Sequence, residues 1–220
     1  MNTVSAARAL LAHYDFSAIK TLVDVGSGGG GLAITITKAC PHIKATAIDL
    51  PQVVPIAEKI VEEQSAADRV KVIGADLLSG PLPGSYDVAV LRGFLQVFSS
   101  ADARLALKHI AAAVNSAGKI YIIGQILDDL HTSPLEAVGF NLTFINMFEA
   151  GESHTESERR DWLSAAGFIE IKRENFLFPD GSGVMTGSKS ITNHLASHPF
   201  RVLLLANRGV IVASFTHFRR

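Results

Sequence analysis

Between residues 21 and 189 the chain alternates short, unbroken apolar runs with longer stretches whose apolar residues return every three or four positions. The runs at 21–25, 43–49, 70–74, 86–92, 120–125, 168–176 and about 184–189 have the length and continuity of buried strands. The stretches at 32–39, 53–64, 101–114, 135–149 and 155–166 have helical spacing. Strands apolar on both faces and separated by helices predict an α/β, doubly wound sheet, with ligands gathered at the strands' carboxyl ends. Local signals agree with these boundaries. Ser99 or Ser100 is placed to cap the helix from Ala101, Thr155 and Glu158 form a capping-box pattern, and Ala166-Gly167 ends that helix. Residues 1–17 read as an amphipathic lead-in helix, with Ala6, Leu10, Leu11 and Tyr14 on its apolar side. From residue 190 neither period holds, so 190–220 reads as an extension without function beside a domain at 1–189.

Composition adds mainly exclusions. At 220 residues and 48% hydrophobic content, the chain can bury one good core and carry an appendage. A net charge of −1 gives no electrostatic reason to expect nucleic acid or an anionic membrane. The apolar run at 202–215 is broken by Asn207-Arg208-Gly209 and is too short to span a bilayer. One cysteine, Cys40, fits a reducing compartment, and the first residues carry no secretory leader pattern, so a soluble, cytoplasmic protein without a metal site is expected.

The candidate chemistry starts at TLVDVGSGGGG, residues 21–31, where a strand runs into a glycine-rich turn ahead of a helix. Such a turn lets backbone approach a ligand closely, and an acid at the tip of the next strand, here Asp49, can accept from ribose hydroxyls. Gly26, Gly28 and Gly31 satisfy the G-x-G-x-x-G spacing of a dinucleotide site, so a nicotinamide oxidoreductase is one alternative. Three features favour another ligand. Asp24 lies two residues before the first glycine, awkward beside a pyrophosphate but suited to an ammonium group. Leu50-Pro51 makes an apolar shelf after Asp49, and Asp76 ends the third strand within reach of an adenine amine. A nucleoside joined to an amino acid without phosphate is S-adenosyl-L-methionine.

VDVGSGGGG, AIDLPQVV, VIGADLLSGPLPGSYDVAVLR, LKHIAAAVNSAGKIYII and GESHTESERRDWLSAAGF together resemble the small-molecule O-methyltransferase family of plant phenolic and bacterial antibiotic pathways. The similarity runs through residues 5–189 in order, and the D-L-P-x-V block at 49–53 is its most specific part. The resemblance implies a class I methyltransferase fold with seven strands, the last antiparallel, and methyl transfer to a small aromatic or polyketide-like acceptor, most simply on oxygen. It implies that Gly26 and Gly28 hold the methionine part of the cofactor and Asp49 the ribose, with Leu50 near the adenine. Asp76 and Leu77 would hold and cover the adenine, and Arg92 stands where the family has a lysine.

The chain also departs from the family. Gln96 occupies the place of the usual catalytic histidine, and an amide cannot take a phenol's proton. Gly124, beside Gln125, and Ser153 stand where supporting acids are expected, with Glu152 the alternative in a shifted register and His154 the nearby imidazole. A truncated or catalytically impaired cofactor-binding domain is therefore the second alternative. The family is homodimeric through an N-terminal helical region, whose absence from the matched segment implies a weakened dimer, an open acceptor pocket and an exposed apolar surface. FNLTFINMF, residues 140–148, would face the acceptor by analogy, whereas its spacing of Phe140, Phe144 and Phe148 reads equally as ordinary core.

Overall fold

The computed structural model describes residues 3–174, Phe178 and residues 182–191. A lead-in helix α1 (Thr3–His13) precedes β1 (Thr21–Val25), α2 (Gly31–Ala39), β2 (Lys44–Asp49), α3 (Val54–Glu63) and β3 (Val70–Gly74). Then come β4 (Tyr86–Arg92), a 3-10 turn at Leu95–Val97, α4 (Ser100–Ala113), β5 (Val114–Gly124), α5 (Leu135–Met147), α6 (Glu156–Ala165), β6 (Phe168–Arg173) and β7 (Gly183–Lys189). The strands form one sheet in the order β3-β2-β1-β4-β5-β7-β6. β1 to β5 pair in parallel, whereas β7 runs antiparallel to both β5 and β6. This is the expected seven-stranded α/β architecture.

Strand side chains alternate between the two faces, and each face is covered. Leu22, Val88, Val90, Tyr121 and Ile123 join Leu10, Leu32, Ile36 and Val61 beneath α1–α3. Val23, Ala89, Leu91, Ile120 and Ile122 join Leu107, Ile110, Trp162 and Leu163 beneath α4 and α6. Two helices start on side-chain caps read from the sequence. Ser99 Oγ accepts from Asp102 N at 3.2 Å, and Thr155 and Glu158 exchange bonds of 3.2 and 2.8 Å.

The structure revises two boundaries and one burial reading. β5 begins at Val114, not 120, because Val114 pairs with Tyr86 before a register shift carries the strand on to Lys119. β6 ends at Arg173, and Phe176 lies outside the described residues, as does the extension from 192 onward. The core reading of α5 is overturned. Only Ala137 is buried along that helix; Phe140 is 44% and Phe148 37% exposed, and the three phenyl rings pack on one another.

Candidate functional site

The five parallel strands end on one side of the molecule, and most of the residues singled out from the sequence lie there. β1 delivers the glycine turn directly, with Gly26 N and Ser27 N both donating to Ile48 O, at 2.9 and 3.0 Å. Gly28 has φ +55 and open space where a side chain would project, so a ligand can approach its backbone. Asp49, at the tip of β2, accepts from Gly28 N at 2.7 Å and from Leu50 N at 2.8 Å. The carboxylate thus pins the turn while its remaining lone pairs stay available. Ser27 Oγ is buried and has no hydrogen-bond partner.

Asp24 lies beneath this turn, 2% exposed, with Ala33 N donating to it at 3.2 Å. Burial, against the pull of that bond and of Arg92 and aided by the charge of Asp49, pushes its pKa up to about 7. Asp76 follows β3 and is exposed; it accepts from Leu78 N at 2.9 Å and Ser79 Oγ at 2.6 Å, and these bonds hold its pKa below the usual carboxylate value. Leu50 is 42% exposed, whereas Leu77 is buried in the core under α4. Arg92 ends β4 and is half-buried.

The other half of the edge is built from β4, β5 and the turn before α6. Gln96 is 2% exposed, and its Oε1 accepts from Gln125 N at 3.0 Å. Its amide oxygen lies where a Cβ on Gly124 would be, so the missing acid at Gly124 is what makes room for Gln96. His154 is also buried. Its Nε2 faces Leu95 O at 3.0 Å and so carries the proton, while Nδ1 makes no hydrogen bond and lies 3.9 Å from Glu152 Oε1. Burial lowers its pKa below the ordinary histidine value. Glu152 itself accepts from Ser100 N at 2.8 Å at the start of α4, and the Ser153 hydroxyl is buried without a partner. Gln96, Ser153 and His154 are buried, and Glu152, its side chain 45% exposed, is engaged with Ser100.

Arg159 was missed from the sequence. It is 1% exposed, and one terminal nitrogen donates to Gln125 O just past the end of β5. Burial pushes its pKa down to about 10, the Arg173 charge adding and the Glu158 charge opposing. The available signal was its spacing: 159, 162 and 163 share a helix face, so Arg159 keeps register with the buried Trp162 and Leu163. Among the described residues, no cluster of side chains suited to a metal ion occurs and no helix is long and apolar enough to cross a membrane.

Residues 2–169 match the model of the O-methyltransferase domain. The chain belongs to this O-methyltransferase family. One relative of this methyltransferase domain is the 3-hydroxy-5-methyl-1-naphthoate 3-O-methyltransferase of Streptomyces sahachiroi, 31% identical over 84% of this chain and 53% of that protein. Another is the 3-amino-4-hydroxybenzoate 4-O-methyltransferase of Streptomyces cremeus, 29% identical over 70% of this chain and 42% of that protein. The chain thus spans about half the length of the curated relatives it matches. Among solved structures, the apo S-adenosylmethionine-dependent methyltransferase SibL superposes with a TM-score of 0.74 at 26% identity, over 84% of this chain and 55% of SibL.

Proposed function

We propose that this chain binds S-adenosylmethionine along the carboxyl ends of β1–β3 and transfers its methyl group to an oxygen of a small aromatic or polyketide-like acceptor beside β4 and β5. The observation that carries this reading is the bond between Gly28 N and Asp49, which joins an open glycine turn to a carboxylate with free lone pairs. The residues fit the cofactor. Asp49 faces the ribose hydroxyls, exposed Leu50 offers apolar surface to the adenine, and Asp76 receives the adenine amine. Gly26, Gly28 and the unpartnered Ser27 hydroxyl border the methionine part, with Asp24 and Arg92 setting the charge beneath it. Leu77 supports this wall from the core rather than covering the adenine from solvent. The family match leaves the nicotinamide alternative with only its glycine spacing.

The bound cofactor supplies an electrophilic methyl carbon on a sulfonium. Held by Gly26, Gly28, Asp49 and Asp76, S-adenosylmethionine would supply that methyl to the acceptor oxygen and leave as S-adenosylhomocysteine, with the acceptor's proton passing to water. The protein contributes alignment, because Gln96 cannot act as a base; general-base help is typically worth ~10²–10⁴-fold, so its absence slows the step without abolishing it. The buried, inward-turned Gln96 amide also favours a second reading, a cofactor-binding domain with impaired catalysis. A reducing, cytoplasmic setting agrees with the single Cys40.

Calorimetric titration with S-adenosylhomocysteine tests the binding half of the proposal. Micromolar binding, weakened at least tenfold in Asp49→Ala, is expected; a folded wild-type chain that binds NAD but not S-adenosylhomocysteine overturns it. Methyl transfer to a panel of phenols then separates the active reading from the impaired one.

A further inference from the structure

We infer that His109 of α4 is a positioning residue for the cofactor's nucleobase: through Leu77 O it holds the turn that presents Asp76, and so sets the preference for adenine. The inference rests on the cofactor reading and deepens it by naming what fixes the adenine-reading carboxylate.

The turn after β3 has little of its own to fix it in place. The sheet's hold ends just before it, where Ala75 N donates to Asp49 O at 2.9 Å. Asp76 is exposed, and three bonds shape the turn around it: Leu78 N to Oδ1 at 2.9 Å, Ser79 Oγ to Oδ2 at 2.6 Å and Ser79 N to Asp76 O at 3.2 Å. All three join residues of the same turn, so they set its shape and leave its direction open. Leu77 anchors it by burying its side chain in the core that also holds Leu107 and Ile110 of α4. Apolar burial is non-directional and tolerates rotation. Among the described residues, one hydrogen bond joins residues 76–79 to another element: His109 Nδ1, half-buried on α4, donates to Leu77 O at 2.7 Å. A carbonyl can only accept, so the ring keeps a proton on Nδ1.

The position of that bond gives it leverage. Leu77 O and Leu78 N–H are the two ends of one peptide unit, which is planar. His109 holds one end, and the other end donates to Asp76 Oδ1. Fixing the carbonyl therefore aims the N–H, and the N–H aims the carboxylate. Hydrogen bonds in such a chain also polarise one another. Two bonds leave this carboxylate with lone pairs to spare for the amine at adenine C6. A purine with hydrogen at that position offers it nothing, and the discrimination depends on how well the carboxylate is aimed. Leu50, by contrast, presents apolar surface to any purine. Contact with Leu50 gives affinity, and the carboxylate held through His109 gives the choice of base.

The test is calorimetric titration of the whole chain with S-adenosylhomocysteine and with its 6-deamino analogue, in which hydrogen replaces the adenine C6 amine. Wild type should favour the amine about tenfold, the worth of one hydrogen bond to a charged acceptor. His109→Ala should lose most of that preference while its affinity for the analogue stays near that of wild type. His109→Asn, whose side-chain amide nitrogen lies where Nδ1 does, should restore it; a merely structural contact would show no such rescue of base choice. Asp76→Ala should have no preference left, and adding His109→Ala to it should change the ratio no further. A ratio unchanged in His109→Ala, equal weakening of both nucleosides, or failure of Asn to restore the ratio overturns the inference and leaves the cofactor reading standing. Equal affinity of wild type for the two nucleosides overturns it as well, by removing adenine recognition from Asp76. A folded wild type that binds neither overturns the inference and the cofactor reading together.

Discussion

Gly124 and Gln96 are fitted to each other. A methyl group on Gly124 would coincide with the Gln96 amide oxygen, which is itself held by Gln125 N. Gly124→Ala must therefore expel the amide or shift β5, and should cost about 1–3 kcal/mol in urea melts, much of it recovered in the Gln96→Ala background. Purely additive losses would show that the two positions are independent. Asp24 gives a second expectation. Its folded-state pKa, raised by burial to about 7, lies above that of an unfolded aspartate, so the native state holds a proton that the unfolded chain has released. Stability therefore falls as pH rises from about 4 to about 7 and levels off above, from this group alone. Asp24→Asn should remove that fall and stabilise the apo chain by about 1–3 kcal/mol at pH 8. Melts of the variant that track the wild type at every pH would refute the assignment.

At the level of elements, α6 buries Arg159, Trp162 and Leu163 against the sheet, and His154 lies just before its capping residue. Thr155→Ala breaks both bonds of its capping box and should lower stability by about 0.5–2 kcal/mol, read by chemical denaturation. No change would mean that packing against β6 alone sets the helix start. This box, the glycine turn and the strand–helix rhythm were legible in the sequence because each depends on near neighbours along the chain. The residues that proved different depend on what comes from elsewhere. The four-residue spacing of Phe140, Phe144 and Phe148 identifies an apolar helix face but not what covers it. Arg159 sits in the charged run ESERRD, which reads as solvated until the fold turns that face inward. Gln96 was found at its place along the chain, but its inward turn required the space at Gly124 across the sheet.

For the molecule as a whole, the sheet separates two covered faces, yet α5 leaves Leu142 61%, Ile145 57% and Met147 69% exposed, beside Leu135 at 78%. Contiguous apolar surface of this kind drives association. Paired Leu142→Glu and Ile145→Glu substitutions should reduce self-association in sedimentation velocity without lowering the melting temperature, since neither side chain is part of the core. Unchanged sedimentation together with a lower melting temperature would place that face inside the fold in solution.

The edge-on contact between Trp162 and His154, ring centres 4.8 Å apart, has a further consequence. Trp162 is the chain's single tryptophan. All indole emission therefore originates beside the buried imidazole that is bonded to Leu95 O, next in the chain to Gln96. A protonated imidazole quenches an excited indole far more strongly than a neutral one does. Burial keeps His154 neutral below the pH at which exposed histidines charge, so the emission should hold through that pH and dim only as the buried imidazole gains its proton. The protein carries its own optical gauge, with no dye attached.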